Sequence, residues 1–283
     1  MLKIKAMPVG KKFTVKVMGI INTSPESFYK DSVKTGEQEI ATTARQMQED
    51  GACMIDIGGM STAPYLQTVP IPIKEEIRRI TEGIKIVKSA CNLPISADTP
   101  RAAVAKQAIV AGADAVNDVT GLQYDSSMAD VAAKAGVSMI IGAYSKAPVT
   151  GRMIGTLKTL KKSIKLASEA GIKDILIDPS IGFFRQEGRN PFFTKITDMP
   201  WYARDIEILS NMHKLTMLKK PICVSVSRKS FIGYLLNLKD AEDRLIPSIA
   251  CEMIAALKGA NIIRTHNVRE TVHAVTMLQL LRT

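Results

Sequence analysis

Residues 221–233, PICVSVSRKSFIG, contain an apolar run, a short polar turn and the start of a second apolar segment. The run 221–226 predicts a buried strand, and a helix is expected to begin at Phe231. The turn therefore places donor groups at the carboxyl end of a strand, where parallel α/β proteins bind their ligands. Arg228, Lys229 and the neighbouring serine hydroxyls suit an anionic, oxygen-rich ligand. A solvated basic turn would look the same if this stretch stood alone.

The same strand-and-helix unit recurs along the chain. Continuous apolar runs, which are typical of strands buried on both faces, predict strands at residues 15–21, 53–57, 94–98, 113–117, 137–142, 173–178, 221–226 and 261–264. Helical periodicity and glycine stops predict further helices at residues 37–50, 74–90, 100–111, 127–135, 156–170, 196–218, 240–258 and 268–281.

Eight such units in under 300 residues favour a (β/α)₈ barrel, the TIM-barrel fold, over an open sheet. The sequence contains neither a glycine-rich dinucleotide motif nor a phosphate-loop motif, which would support an open sheet. No linker-like segment interrupts the pattern, so we predict a single domain over 1–283. Residues 1–14 are expected to form an N-terminal hairpin or extension that turns at Pro8-Val9-Gly10.

Composition narrows the class of protein. The chain has 283 residues, of which 46% are apolar, and this is enough for a substantial core. We find no apolar run of membrane-spanning length and no signal peptide, and so we expect no membrane association. The four cysteines are far apart and lack metal-binding spacing, which predicts a reduced, cytoplasmic setting. The net charge of +11 is spread over many helices, so it favours a polyanionic small substrate over nucleic acid.

Polar residues follow seven of the eight predicted strands, and in a barrel all of them would face one mouth. Asp98, Asn117, Asp178 and Lys229 offer acceptors and donors for a flat heterocycle with amide-like and amino edges. Arg264 and His266 can both reach an anion at the tip of the last strand. Because buried polar groups need partners, seven such strand ends together indicate a ligand site, although any single one could be structural. The other histidines, at positions 213 and 273, fall within predicted helices and are interpreted as structural.

The motifs at these strand ends, taken together and in order, resemble those of the dihydropteroate synthases, the pterin-binding (β/α)₈ enzymes. The matching motifs are MGIINTSPESF at 18–28, IDIGGMST at 55–62, SADT at 96–99, Asn117-Asp118, Asp178-Pro179, SRKS at 227–230 and Arg264-Thr265-His266. The resemblance covers nearly the whole chain.

This resemblance implies that 6-hydroxymethyl-7,8-dihydropterin diphosphate loses diphosphate while an aryl amine, usually 4-aminobenzoate, captures its methylene carbon. It implies that Asp98, Asn117, Asp178 and Lys229 hold the pterin, and that Asn22 ligates Mg²⁺ on the diphosphate. Thr62, Arg264 and His266 would bind the diphosphate side, and Phe183 and Ser227 would lie near the amine. Asp98, Lys229, Arg264 and His266 are the candidates for catalysis. Homodimers occur in the family, so a homodimer is plausible here.

The sequence departs from the family pattern at three places that are expected to face the diphosphate and the acceptor. Ala63 stands where arginine commonly follows Thr62, and Gly142-Ala143-Tyr144 stands where Met-His is usual. The loop after Asp178 reaches Arg185 where the usual glycine-rich turn ends in lysine. These departures, with the string GGMSTAPY at 58–65, suggest an archaeal-type enzyme with a different acceptor. That acceptor is 4-(β-D-ribofuranosyl)aminobenzene 5′-phosphate in methanopterin synthesis, with Arg185 and Arg189 as candidates for binding its phosphate.

Two other functions remain open at this point. A pterin-dependent methyltransferase would share the barrel and the pterin-side residues, but it would have no diphosphate for Lys229, Arg264 and His266 to bind. A non-catalytic pterin-binding protein is supported only by Ala63 and by the missing Met-His pair. Release of diphosphate in the presence of both substrates would separate these alternatives from a synthase.

Overall fold

A computed structural model describes residues 2–5, 7–10, 14–26, 29, 33–65 and 70–281. Within these residues the strands are β1 Leu2–Ile4, β2 Met7–Val9, β3 Lys16–Asn22, β4 Met54–Gly58, β5 Ile95–Asp98, β6 Ala115–Asp118, β7 Ser138–Gly142, β8 Ile175–Asp178, β9 Phe184–Arg185, β10 Thr194–Lys195, β11 Cys223–Val224 and β12 Ile262–Thr265. The α-helices there are α1 Glu37–Glu49, α2 Ile73–Ala90, α3 Ala102–Ala111, α4 Met128–Ala135, α5 Met153–Glu169, α6 Trp201–Asn211, α7 Ser230–Leu236, α8 Leu245–Leu257 and α9 Val268–Leu280.

Eight of the described strands form one parallel sheet in the order β11-β12-β3-β4-β5-β6-β7-β8. Ile177 of β8 forms a parallel bridge with Ile222, and the Ile177 amide donates to the Pro221 carbonyl at 2.9 Å. This bridge brings the two edge strands together and nearly closes the sheet into a barrel, with helices between successive strands. The predicted (β/α)₈ fold is therefore confirmed. Every residue of β4 and β7 is buried, which explains their continuous apolar runs.

The N-terminal hairpin is also confirmed, since β1 and β2 pair antiparallel. Ile4 and Val9 are buried against a cluster of side chains from the barrel strands that includes Met54 and Leu176. The Ser138 hydroxyl donates to the Lys3 carbonyl at 3.2 Å. The hairpin thus covers the amino-terminal end of the barrel, opposite the polar strand ends. Residues 1, 6 and 11–13 of the predicted 1–14 segment lie outside the described residues.

Four predicted helices need correction at their ends. The helix predicted at 156–170 begins three residues earlier, at Met153. The helix predicted at 100–111 begins at Ala102, because Pro100 and Arg101 precede it with Arg101 in an extended conformation. The helix predicted at 196–218 starts only after Pro200 and becomes a 3₁₀ helix from Met212 to Leu218. The helix predicted at 240–258 contains a 3₁₀ turn and then α8. Gly112 adopts the left-handed conformation (φ 114°) at the end of α3, as its position predicted.

The loop after β8 carries a feature that the sequence pattern did not reveal. β9 and β10 form a small parallel sheet in which Thr194 pairs with Phe184. The pairing joins residues about ten positions apart, and each strand has two residues, which is too short for an alternating pattern. In the part of the chain that the structure covers, no helix is long and apolar enough to cross a membrane.

Candidate active site

The carboxyl ends of the barrel strands meet at one cavity. The lining of this cavity includes all ten residues that the sequence assigned to the site: Asn22, Thr62, Asp98, Asn117, Asp178, Phe183, Ser227, Lys229, Arg264 and His266. They converge because parallel strands place all of their carboxyl ends on one side of the barrel. His213 and His273 instead lie exposed on helical surfaces, away from this cavity. Residues 27–28 at the end of the first motif are outside the described residues.

Arg264 is held by two carboxylates at the centre of the site. Its Nε donates to Asp56 Oδ2 at 2.6 Å, and its Nη2 donates to Asp98 Oδ2 at 2.8 Å. Asn117 Nδ2 also donates to Asp56 Oδ2, at 3.0 Å. Four strands, β4, β5, β6 and β12, are thereby joined by one network, which fixes the guanidinium plane. Of the five N–H groups of Arg264, hydrogens on Nη1 and Nη2 remain for an anion.

Asp56 is the site residue that sequence reasoning missed. It falls within the strand predicted at 53–57, but the sequence pattern assigns it no role. Its side chain has 0% exposure and does not line the cavity, yet it binds both Arg264 and Asn117. The signal that could have identified it is a carboxyl group inside the apolar run MIDIG, because such a group requires a buried partner.

Asp98 and Asp178 are acidic groups whose neutral form is favoured by the cavity. Burial raises the pKa of Asp98 to about 7; Arg264 opposes this effect and Asp56 adds to it. Burial also raises the pKa of Asp178, while the Ser180 amide, which donates to its Oδ1 at 2.6 Å, acts in the opposite direction. Both groups therefore change charge at a higher pH than an exposed carboxyl does.

Lys229 lies beside these carboxyls and above an aromatic ring. Its Nζ is 4.6 Å from the centroid of Phe183. Burial and the charge of Arg264 together lower the pKa of Lys229 to about 8, against the opposing charges of Asp178 and Asp98. The ammonium group is thus charged at neutral pH and can lose its proton in mildly alkaline solution.

His266 contacts the turn that follows β11. Its Nδ1 lies 3.0 Å from Ser227 Oγ, and its backbone amide donates to the same oxygen at 3.3 Å. Tyr29 packs edge-on against the imidazole, with ring centroids 5.1 Å apart. Burial, followed by the charges of Arg264, Lys229 and Arg228, lowers the pKa of His266 well below its usual value. The ring is therefore neutral at physiological pH and acts as a hydrogen-bonding group.

The loop that carries Ala63 and the loop that carries Asn190 are hydrogen-bonded to each other. Asn190 Nδ2 donates to the carbonyls of Thr62 and Ala63 at 3.2 and 3.0 Å, and the Arg189 amide donates to the Pro64 carbonyl at 2.9 Å. Ala63 lines the cavity at the position where the family commonly has arginine. The wall here is thus fixed by backbone contacts, and at Ala63 it carries no cation.

Arg185 and Arg189 do not line the cavity. Arg185 is buried, with its guanidinium carbon 3.8 Å from the Trp201 ring centroid and its Nη2 donating to Ser230 Oγ at 2.6 Å. Arg189 is exposed. The structure therefore does not bring these two residues together as a phosphate site.

Tyr144 belongs to the segment that stands where the family usually has Met-His, and its contacts are structural. Its hydroxyl donates to the Pro191 carbonyl at 2.9 Å, and its own carbonyl accepts from Gln123 Nε2 at 2.6 Å. The buried ring braces the loop between β8 and α6 and does not line the cavity.

The oxygen donors of the cavity suit a magnesium ion that is shared with a phosphate-bearing substrate. Asn22 lines the cavity and offers an amide oxygen, a donor type that Mg²⁺ accepts. Among the residues that the structure describes, no three His, Cys, Asp or Glu side chains form a metal cluster. Mg²⁺ usually keeps waters and substrate phosphates as ligands and is seldom enclosed by protein alone, so a single protein donor is compatible with it.

Comparison with known proteins agrees with this geometry. The model of the family described as pterin binding enzyme matches residues 18–266. The dihydropteroate synthase of Clostridium beijerinckii is 35% identical over 270 residues, covering 94% of this chain and 93% of the relative.

Solved structures show the same similarity. A dihydropteroate synthase from Clostridium difficile, determined in the presence of pteroic acid, superimposes with a TM-score of 0.82 at 32% identity and covers 96% of this chain and 98% of the other. The Xanthomonas albilineans dihydropteroate synthase with 4-aminobenzoic acid has a TM-score of 0.82 at 30% identity, covering 95% and 94%. The chain therefore belongs to the pterin binding enzyme family and is a transferase of the dihydropteroate synthase type.

Proposed function

We propose that the protein condenses 6-hydroxymethyl-7,8-dihydropterin diphosphate with 4-aminobenzoate and releases diphosphate. The observation that carries this proposal is the network in which Asp56 and Asp98 hold Arg264 beside Asn117 at the mouth of the barrel. Asp178 and Lys229 line the same cavity. Relatives with this activity share most of the chain.

Recognition of the pterin would depend on Asp98, Asn117, Asp178 and Lys229. A pterin ring presents N–H donors and a carbonyl acceptor along its edge, and these groups match carboxylates, an amide and an ammonium group. All four side chains line the cavity and come from different strand ends, so one flat ring could contact them together. A site built from buried polar groups strongly rejects ligands that leave those groups unpaired.

The chemistry would consist of separating charge at the methylene carbon. If the carbon–oxygen bond breaks first, a positively charged pterin methylene forms, and ionised Asp98 and Asp178 would stabilise it. Arg264 and neutral His266 would bind the departing diphosphate, and the aryl amine would then attack the carbon and lose a proton. One preorganised group of this kind is typically worth about 3 kcal/mol of barrier. The mechanism requires no covalent attachment to the enzyme.

Asn22 would hold the Mg²⁺ ion through its side-chain oxygen. When bound, the metal supplies positive charge that favours departure of the diphosphate. Thr62 lines the cavity and has a hydroxyl to donate to the same anion.

The choice of 4-aminobenzoate over the ribosyl-phosphate amine is supported by the position of the arginines. Arg185 is buried against Trp201 and bonded to Ser230, while Arg189 is exposed, and neither lines the cavity. The phosphorylated acceptor would need cations that these contacts do not offer. On this proposal the product belongs to the folate pathway.

Homodimer formation is a further part of the proposal. Tyr234 and Leu236 on α7, Ile246 and Leu257 on α8, and Leu280 on α9 are at least half exposed. α8 packs against α9, and exposed apolar side chains on neighbouring helices are common at interfaces between identical subunits.

The test is diphosphate release with Mg²⁺ and dihydropterin diphosphate, comparing 4-aminobenzoate with its ribosyl-phosphate derivative. We expect turnover with 4-aminobenzoate that depends on Mg²⁺ and stops when the metal is chelated. Lys229→Ala should reduce turnover about 10²-fold or more, whereas Lys165→Ala, at an exposed position on α5, should leave it unchanged.

Turnover with only the ribosyl-phosphate amine would overturn the acceptor assignment and favour methanopterin synthesis. Pterin binding without turnover of either amine would overturn the condensation itself and favour a methyltransferase or a non-catalytic pterin-binding protein.

A further inference from the structure

Two segments lie at the cavity: the first turn, residues 227–229, and the second turn, residues 264–266. In each of them only the first and third residues line the cavity. Ser227 and Lys229 line the cavity but Arg228 does not, and Arg264 and His266 line it but Thr265 does not. Arg228 and Thr265 are nevertheless buried, with 4% and 1% exposure. They therefore face away from the cavity into the protein.

Arg228 of the first turn forms hydrogen bonds with α8 and with Asn267, which follows the second turn. The Arg228 amide donates to Ser248 Oγ at 2.8 Å, and Arg228 Nε donates to Asn267 Oδ1 at 3.0 Å. The Asn267 amide donates in turn to Thr265 Oγ1 at 3.2 Å. Arg228 thus connects the turn after β11 with the end of β12.

The network returns to α8 through two threonines. The hydroxyls of Thr265 and Thr271 are 3.2 Å apart, and Thr271 Oγ1 donates to Glu252 Oε2 at 2.8 Å. Glu252 has 0% exposure. It lies four residues after Ser248 in α8, so both side chains project from the same face of the helix. The network formed by Ser248, Arg228, Asn267, Thr265, Thr271 and Glu252 therefore begins and ends on one helix face.

We propose that Glu252 is a positioning residue, which with Ser248 sets the distance between the Ser227–Lys229 pair and the Arg264–His266 pair. The reasoning is geometric, since each functional side chain is a chain neighbour of a residue in the network. A shift of Arg228 or Thr265 would move the residue before it and the residue after it, both of which line the cavity. The consequence for turnover rests on the proposed function.

The backbone of the first turn is strained, and a strained turn needs neighbouring contacts that hold it in place. Arg228 has a φ of 53°, in the left-handed region that non-glycine residues rarely adopt. Besides Ser248, the carbonyls of Ala241 and Glu242 each accept from Arg228 Nη1 at 2.7 Å. A strained residue at a functional turn persists only where its surroundings hold it in place.

A buried carboxyl is an unusual choice for a purely structural contact. Within the described residues, Glu252 Oε1 has no hydrogen-bond partner, which is unfavourable for the stability of the fold. Burial raises the pKa of Glu252 to about 7, and the hydrogen bond from Thr271, the nearby Thr265 hydroxyl and the charge of Arg228 oppose this increase. Glu270 of α9 and Cys251 of α8 are the other titratable groups that interact with it. Its neutral form is similar in shape to glutamine, which makes Glu252→Gln the conservative replacement.

The experiment compares Glu252→Met, which removes the hydrogen bond, with Glu252→Gln, which retains it. Thr271→Val breaks the next link, and Thr159→Val, a buried threonine on α5 outside the network, is the matched control. We would measure kcat for diphosphate release, the Kd of an oxidised pterin, and amide hydrogen exchange at residues 227–229 and 264–267.

Glu252→Met and Thr271→Val should each lower kcat about tenfold, because small displacements of positioned groups are costly. The variant that carries both substitutions should have the same kcat as the single variants, since either substitution alone already interrupts the network. The Kd of the pterin should change less than kcat, by about threefold at most, because only Lys229 of the four pterin-side residues adjoins the network, whereas Asp98, Asn117 and Asp178 belong to strands that it does not touch. Glu252→Gln and Thr159→Val should resemble the wild type.

Unchanged exchange and unchanged kcat in Glu252→Met would overturn the inference. A loss of pterin affinity that parallels the loss of kcat would also overturn it, since that result would indicate general destabilisation. If the wild type releases no diphosphate, the proposed function fails, but the exchange measurement still decides whether Glu252 positions the two turns.

Discussion

The charge of Asp98 can change within the physiological pH range. Burial raises its pKa to about 7, and Arg264 limits that increase. Lys229, on the same wall, has its pKa lowered to about 8 by burial and by Arg264. In the proposed chemistry the carboxyl works ionised and the lysine works protonated. Ionised Asp98 and protonated Lys229 predominate together only in the narrow pH range between their pKa values of about 7 and about 8.

We therefore predict a bell-shaped dependence of kcat/KM on pH, because kcat/KM reports the groups of the free enzyme. Activity should rise as Asp98 ionises near pH 7 and fall as Lys229 loses its proton near pH 8. His266 should contribute no limb near its usual pKa, since burial and the neighbouring cations lower its pKa well below that value. The measurement is kcat/KM from pH 5 to 10. Asp98→Asn is expected to remove the limb near pH 7 and to leave only the contribution of Asp178, whose pKa is also raised by burial.

Glu252→Gln is the control for this profile, because Glu252 is a second carboxyl whose pKa is raised to about 7. The rising limb should persist in that variant. A profile that is flat between pH 6 and 9, or a limb that disappears in Glu252→Gln, would contradict the assignment to Asp98.

The contrast between Asp98 and Asp56 shows what the sequence could predict at the level of residues. The ten residues predicted for the pterin, the diphosphate and the amine line the cavity, because the carboxyl ends of parallel strands meet whatever the details of packing, whereas Arg185 and Arg189, predicted for the phosphate of the acceptor, do not. Asp56 was missed as a site residue because its role depends on its partners. Its bonds to Arg264 and Asn117 span 208 and 61 positions in the chain. No local pattern encodes contacts of that kind.

At the level of elements, α6 holds the loop that follows Asp178 and carries Phe183. Arg204 donates to the carbonyls of Pro179 and Ser180 at 2.7 and 3.0 Å, and Asp205 Oδ1 accepts from the Gly182 amide at 2.9 Å. Both side chains have 0% exposure and form an ion pair at 3.2 Å. The Arg204 guanidinium also lies 3.7 Å from the Phe184 ring centroid. One turn of helix thus fixes a whole active-site loop.

Arg204→Met should destabilise the protein by about 3–5 kcal/mol, because it leaves Asp205 as an unpaired buried charge. Urea unfolding followed by circular dichroism would give the free energy of unfolding. Arg189→Met, at an exposed position on the same loop, is the matched control and should change it little. Adding Asp205→Asn to Arg204→Met should recover part of the loss, since the unpaired charge is then removed. A loss below about 1 kcal/mol in Arg204→Met would mean that the pair does not hold the loop.

The elements themselves were predictable where a local signal marks their ends. Gly112 and Gly136 end α3 and α4 in the left-handed conformation, as glycine permits. The predictions were wrong where a proline or a distant contact decides the boundary. Pro200 precedes α6 and shortens the helix predicted at 196–218, and β10 is formed by pairing with β9. Helical periodicity alone could not separate these segments.

At the level of the whole molecule, the excess of basic residues is a property that no single contact explains. The chain has 38 lysines and arginines against 27 acidic residues, which gives a net charge of +11. The proposed substrate carries a diphosphate. A positive protein attracts such an anion before any contact forms, and the attraction raises the rate of encounter. The range of this attraction depends on salt, since the Debye length is about 30 Å at 0.01 M and about 8 Å at 0.15 M.

We predict that kcat/KM for dihydropterin diphosphate falls about fivefold as NaCl increases from 10 to 200 mM. The kcat at saturation should stay nearly constant, because charges inside the cavity are screened much less than those on the surface. Steady-state kinetics over this salt range would test both statements. The Kd of a pterin without the diphosphate is the matched control and should be almost independent of salt. If the pterin and its diphosphate respond equally, or if kcat falls together with kcat/KM, salt is acting on the fold or on the cavity. The net charge would then have no part in capturing the substrate.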